Sequence, residues 1–167
     1  MEITTTRFGT ITVEADALWT FPRGLIGMTD LARFAIVPPL ARDAAFYWLQ
    51  SVEDPGVAFL VCDPNRFFKD YHVSIREETQ ADLDLADAKD GQLLVICNRV
   101  GEWVTGNLQG PLVINTRTRV GQQVVLTEKK WTCRQPLLKL DGDGAAAESE
   151  QPATAAAAAA AAMARAA

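Results

Sequence analysis

Up to about Leu140 apolar and polar residues mostly alternate with a period of two, and glycine, proline or asparagine cuts the alternation at short intervals. Period two sends successive side chains to opposite faces of an extended chain, so the pattern predicts strands. Glu2 to Arg7 and Ile11 to Glu14 flank Phe8-Gly9-Thr10 and predict a hairpin. Arg33 to Val37 ends at Pro38-Pro39, neither of which donates to a ladder. Phe46 to Ser51 and Val57 to Cys62, joined through Asp54-Pro55-Gly56, predict a second hairpin, the later strand apolar enough for burial on both faces. Gln92 to Val100 and Glu102 to Leu108 flank Gly101 as a third. Val120 to Thr127 and Lys130 to Cys133 extend the sheet, with Gln135-Pro136 ending regular structure.

Other stretches break the period. Thr20 to Met28 holds one proline and two glycines and predicts a loop that drops Phe21, Leu25 and Ile26 onto the core. Asp63-Pro64 suits the cap and first position of a single helical turn, and Phe67 to Val73 returns to extended chain. Ser74 with Glu77 has the spacing of a capping box, which predicts a short helix to Asp82. In all, roughly ten antiparallel strands and one short helix make an all-β, barrel-like domain over residues 1–140. Residues 141–167 form a low-complexity alanine-rich tail, expected to be disordered or a frayed helix.

From Thr105 to Asn115 a strand pattern is interrupted by Gly110-Pro111 and resumes as Leu112-Val113-Ile114-Asn115. It reads as strand, kink, strand, because proline lacks the ladder donor and glycine admits unusual backbone angles. Leu112 and Ile114 share a face suited to a core, while Asn107 and Gln109 share one that carries donors and acceptors. A bulge there leaves unpaired backbone groups for a partner peptide or helix to meet.

The apolar runs are far shorter than the roughly 20 residues that span a bilayer, and Met1-Glu2-Ile3-Thr4 lacks the layout of a secretory signal. A cytoplasmic protein with no membrane association is expected. Cys62, Cys97 and Cys133 show no C-x-x-C spacing and read as buried thiols. His72, the only histidine, sits in no pattern of a base or ligand, and no phosphate loop or nucleophile elbow occurs. No enzyme activity, cofactor or metal is expected. The net charge of -5 is unevenly spread: seven acids against two bases between Asp70 and Asp90, and one acid against six bases between Asn115 and Leu140. An acidic side and a basic side follow. The basic segment leaves open a small β-barrel RNA-binding module, although Trp131 is its sole stacking residue and the acids repel phosphate.

The Thr105 to Asn115 stretch resembles the T-x-N-L-x-A-P-I-x-I-N signature of the flagellar assembly factor FliW family, with Gly110 in place of the usual Ala and Leu112 in place of Ile. Thr6-Arg7-Phe8-Gly9, Phe21-Pro22-Arg23-Gly24-Leu25-Ile26-Gly27, Leu49-Gln50-Ser51, and Asp63-Pro64 with Phe68-Lys69-Asp70-Tyr71 follow in the family's order. Met28 stands where the family usually has an aromatic residue. The resemblance covers Met1 to about Leu140 and implies a non-enzymatic cytoplasmic protein that binds flagellin as a chaperone and antagonises the RNA-binding translational regulator CsrA. A monomer is expected when free, with no direct nucleic-acid contact.

Candidate protein-binding residues form two groups. Phe67, Phe68 and Tyr71 offer aromatic area with Asp70 as a charged rim, and are expected to share an exposed surface with Asn107, Gln109 and Pro111 for flagellin. Glu77, Glu78, Asp82 and Asp84 supply the carboxylates expected to engage basic CsrA.

Overall fold

The structure, a computed structural model, describes residues 1–38 and 45–140. Eleven strands are present: β1 (Glu2–Thr5), β2 (Gly9–Thr12), β3 (Leu18–Thr20), β4 (Arg33–Val37), β5 (Phe46–Ser51), β6 (Ala58–Cys62), β7 (Gly91–Val100), β8 (Trp103–Gly106), β9 (Leu112–Asn115), β10 (Val120–Gln123) and β11 (Gln135–Lys139). The single α-helix among the described residues, α1, is Glu77–Asp82. The alanine-rich tail lies outside the described residues.

Strands β7, β6, β5, β4, β3, β10 and β9 pair in that order, and β9 returns to β7, closing a seven-stranded barrel. Every pairing is antiparallel except that of β10 with β3, a parallel contact at Val120 and Thr20. β8 and β11 extend the sheet beyond the ring, and β1 and β2 form a separate hairpin. The hairpin was expected to turn at Phe8-Gly9-Thr10. It turns earlier, because the Thr5 hydroxyl accepts from Phe8 N–H and donates to the Gly9 carbonyl, at 2.8 and 2.9 Å.

Two cores lie on opposite faces of β6 and β7. Inside the barrel pack Trp19, Phe21, Leu25, Phe34, Ile36, Leu49, Val61, Leu94, Leu112 and Ile114. Outside it pack Cys62, Tyr71, Val95, Cys97, Val104, Leu108, Leu126 and Trp131. Neighbours along a strand go to different cores: Val61 and Leu94 inward, Cys62 and Val95 outward. The apolar run of β6 is therefore shielded on both faces, as its sequence predicts.

Expected boundaries shift where side-chain bonding decides them. The turn at Pro64–Arg66 forms as expected, with Asp63 accepting from Asn65 N–H at 2.8 Å. Ser74, by contrast, is not a cap: α1 begins after Arg76, which lends no side-chain bond. No strand forms at Lys130 to Cys133, and β11 follows where Pro136 was expected to end regular structure. Pro136 fits because β11 is an outer strand paired only with β8, and its register shifts between Pro136 and Leu138.

Buried amides tie the loops to this frame. Gln50, fully buried, donates from Nε2 to the carbonyls of Ser51 and Val57, both at 3.0 Å, and so closes the β5–β6 turn. Asn115, also fully buried, donates to the carbonyls of Leu83 and Asp84 at 2.9 and 3.0 Å and accepts from the amides of Arg117 and Thr118. One side chain thus holds the chain leaving α1, where Asp84 takes a φ of 51°, to the β9–β10 turn.

Candidate functional site

β8 and β9 both pair with β7, Gly106 opposite Cys97 and Leu112 opposite Leu94. Residues 107–111 therefore face only Val95 and Ile96, and the surplus chain bulges. The strand, kink, strand reading holds, and most of the backbone groups expected to be unpaired find partners within the chain. The carbonyl of Gln109 accepts from Leu126 N–H at 2.8 Å, that of Pro111 from Val124 N–H at 2.9 Å and that of Leu108 from the Tyr71 hydroxyl at 2.8 Å. The amides of Asn107 and Leu108 donate to Ile96 and Thr132. A surplus this large among apolar neighbours persists because most of its polar groups are satisfied internally.

Beside the bulge lies a cleft of about 300 Å³, lined by Leu25, Phe59, Ile96, Asn107, Gln109 and Gln123 among others. Its rim carries Ile26, Met28 and Val125, which are 61%, 40% and 64% exposed. The Thr20 to Met28 loop was expected to plug the core with Phe21, Leu25 and Ile26. Phe21 and Leu25 do so, but Ile26 points out. Gly24, at φ +64°, turns the chain back so tightly that a Cβ there would lie 2.5 Å from the Met28 carbonyl. Leu25 and Met28 then exchange backbone bonds, and Ile26 is left at the tip of the turn.

Polar groups of the cleft are mostly amides. Asn107 Oδ1 accepts from Gly110 N–H at 2.9 Å, and Gln109 Oε1 accepts from the Cys133 thiol at 3.1 Å. Cys62 and Cys97 are buried, their sulfurs 3.4 Å apart, whereas Cys133 is exposed, contrary to the reading of all three as buried. Burial and the Cys97 contact raise the Cys62 thiol far above its usual range, the contact being the larger cause.

The aromatic segment sits elsewhere. Tyr71 is 1% exposed, and Phe67 and Phe68 are half-buried. Their rings pack on Phe46 and Trp131, with Phe68 and Tyr71 at 5.3 and 5.2 Å from Trp131. The expectation of one exposed surface joining residues 67–71 to Asn107 and Gln109 is therefore corrected. The aromatics cover the outer core, and only Asn107 and Gln109 of these candidates line the cleft. Pro111 is buried at the start of β9. Asp70 is exposed and ion-paired with Lys130, whose hydrogen bond lowers the Asp70 pKa.

Charges are also arranged differently from expectation. The acidic and basic segments do not occupy opposite sides, because they bond to each other: Arg117 to Asp84 at 2.6 Å, and Lys130 to Asp70. Arg23 takes Asp82 at 2.7 Å. The bond to Asp84 raises the Arg117 pKa. Glu77 and Glu78, in the first turn of α1, are exposed and enter no ion pair among the described residues. As an RNA-binding surface the basic segment is weakened, since Trp131 is buried and Arg117, Lys130 and Lys139 are paired.

Barrel, bulge and cleft define a class of small closed β-barrel domains in which an interrupted strand borders an open cleft. The chain belongs to the FliW protein family, whose family model matches residues 2–137. It is similar to the flagellar assembly factor FliW of Natranaerobius thermophilus, 34% identical over 145 residues that cover 85% of this chain and 95% of that protein. The flagellar assembly factor FliW of Geobacter sulfurreducens is 36% identical over 138 residues, 81% of this chain and 86% of that one. A crystal structure of the flagellar assembly factor FliW superposes with a TM-score of 0.74 at 30% identity, covering 83% of this chain and 97% of the other.

No helix among the described residues is long and apolar enough to cross a membrane. Sequence reasoning missed Ile26, Met28, Gln123, Val125 and Cys133 as cleft residues.

Proposed function

We propose that this chain is a flagellar assembly factor that binds flagellin at the cleft in the cytoplasm, as a chaperone, and antagonises CsrA through the carboxylates of α1. Flagellin level would thereby be coupled to flagellin translation. The observation that carries the reading is the rim: three large apolar side chains, Ile26, Met28 and Val125, stay exposed around one concave floor. Isolated exposed apolar residues are ordinary, but a cluster over a cleft is what an apolar helix face docks against. Amide groups on the floor hold orientation without a charge to desolvate. For CsrA, Glu77 and Glu78 are, of the four candidate carboxylates, the two that enter no ion pair among the described residues, so they attract a basic surface and repel RNA together.

Calorimetric titration with flagellin from the same genome tests the first part. Ile26→Asp and Val125→Asp should each abolish measurable binding at unchanged thermal midpoint, since both side chains are solvent-facing. Unchanged affinity in both would overturn the cleft as the site. For the second part, the protein is titrated into a CsrA and leader-RNA complex. Wild type should release RNA, and Glu77→Gln with Glu78→Gln should release it more slowly, with the difference fading as salt shortens the Debye length to about 8 Å. Equal release by both would leave these acids without that role.

A further inference from the structure

The amides that floor the cleft interlock through a residue that has no side chain. Gly110 donates its N–H to Asn107 Oδ1 at 2.9 Å, and its carbonyl accepts from Gln123 Nε2 at 3.0 Å. The other end of that amide, Gln123 Oε1, accepts the Ile26 N–H at 2.9 Å. One run of hydrogen bonds therefore joins the bulge, the floor and the exposed lip.

A methyl group at position 110 would lie 2.8 Å from Asn107 Nδ2 and 3.3 Å from Gln123 Nε2. Carbon contacts settle at about 3.5–4.0 Å, so both amides would have to move. Gly110 does not have a positive φ, so an alanine there suffers no backbone strain of that kind. The displaced atoms are the ends of side chains that line the cleft. Leu108 and Leu112 nearby are fully buried, so the open direction for both amides is into the cleft.

We propose that Gly110, together with Met28 on the rim, sets the depth of the cleft and so selects the size of apolar side chain that a partner helix seats there. The inference rests on the cleft being the flagellin site. Both positions leave room in the same cleft: Gly110 has no side chain where a Cβ would press on Asn107 and Gln123, and Met28 stands on the rim. Gly110 lets the Asn107 amide lie flat against the floor, and Met28 supplies a flexible, unbranched rim. A cleft open at both points accepts a larger residue than one with more bulk at either.

Gly110→Ala and Met28→Phe test this by adding bulk at each point. One methylene in an apolar pocket discriminates by about 10- to 200-fold. Each variant should therefore bind flagellin from the same genome at least tenfold more weakly by calorimetry. Cys133, the only exposed thiol, lines the cleft and reports its openness. Its alkylation by a maleimide should slow in both variants, whereas general loosening of the fold would speed it. Met28 is exposed, so Met28→Phe remains decisive if Gly110→Ala fails to fold. If both variants, or the folded one alone, bind within twofold of wild type while Val125→Asp does not bind, the size-setting role is overturned and the flagellin reading stands. If wild type itself does not bind flagellin, the reading beneath the inference fails.

Discussion

The Tyr71 hydroxyl donates to the Leu108 carbonyl at 2.8 Å, in a fully buried bond between the aromatic segment and the bulge. Leu108 is the one residue of the bulge whose side chain joins the outer core, so this bond fixes the bulge from below while the cleft opens above. The Phe68-Lys69-Asp70-Tyr71 motif is in this sense a fastening of the site.

Tyr71→Phe should therefore cost about 1–3 kcal/mol, the penalty for a buried carbonyl left without its donor. The pH dependence has a definite sign. Burial, with a smaller contribution from Glu128, raises the Tyr71 pKa well above its ordinary 10.0. A raised folded value means the contribution is complete below pH 10 and lost as pH rises above it. Urea melts between pH 8 and 11 should show wild type losing stability at the alkaline end, and Tyr71→Phe losing less; the raised Cys62 thiol keeps the remaining slope from vanishing.

Asn115→Ala should be among the most damaging single changes. It removes both donors to Leu83 and Asp84 and the acceptor for two amides from a fully buried side chain, the bond to Leu83 itself being buried. A loss of about 3 kcal/mol or more is expected. Amide exchange in α1 should accelerate most. Arg117→Ala, which removes exposed ion pairs with Asp84 and Asp90 and an exposed bond to the Asp84 carbonyl, should cost under about 1 kcal/mol and serves as the comparison.

Acid should weaken the fold through a few paired carboxylates. Glu53 is lowered on balance: burial raises it, and bonds from the Arg33 side chain and backbone outweigh that. Asp70 is lowered by Lys130, and Asp87 by the Lys89 backbone and side chain. Depressed values mean that this stabilisation is present above the ordinary carboxylate range and lost as pH falls through the folded values. Thermal midpoints should be level from neutrality to about pH 5 and fall below about pH 4. Arg33→Ala should flatten part of that fall; an unchanged acid limb would remove Glu53 from the explanation.

A chain truncated after Leu140 should melt cooperatively within a few degrees of full length, because both barrel cores are complete by that residue. Loss of cooperativity on truncation would show that the alanine-rich tail contributes to the fold.

The strands were legible because burial on one or both faces writes itself as period two or as an unbroken apolar run, and β5, β6 and β7 carry that mark plainly. The Asp63 cap was equally local. What the sequence could not disclose were decisions made by contacts distant along the chain. α1 is fixed from behind by Asn115 rather than capped by Ser74. Arg117 and Lys130 neutralise acids that lie 33 and 60 positions away. The same limit hid the cleft. Asn107 and Gln109 were recognisable as polar residues on one face, but Ile26 and Val125 become their neighbours only once the barrel closes.

Closure itself has a kinetic consequence. The seam joins β3 to β10 through a single paired position, Thr20 with Val120, and the Thr20 amide donates to the carbonyl of Arg119 at 2.8 Å. Every other junction in the ring pairs three or more positions, all of them nearer in sequence. Joining two ends so far apart carries the largest loop-closure entropy in the molecule and is repaid by the fewest bonds. The ring is therefore expected to shut last during folding and to open there first. Deuterium should reach the amide of Thr20 well before it reaches those of β5 and β6.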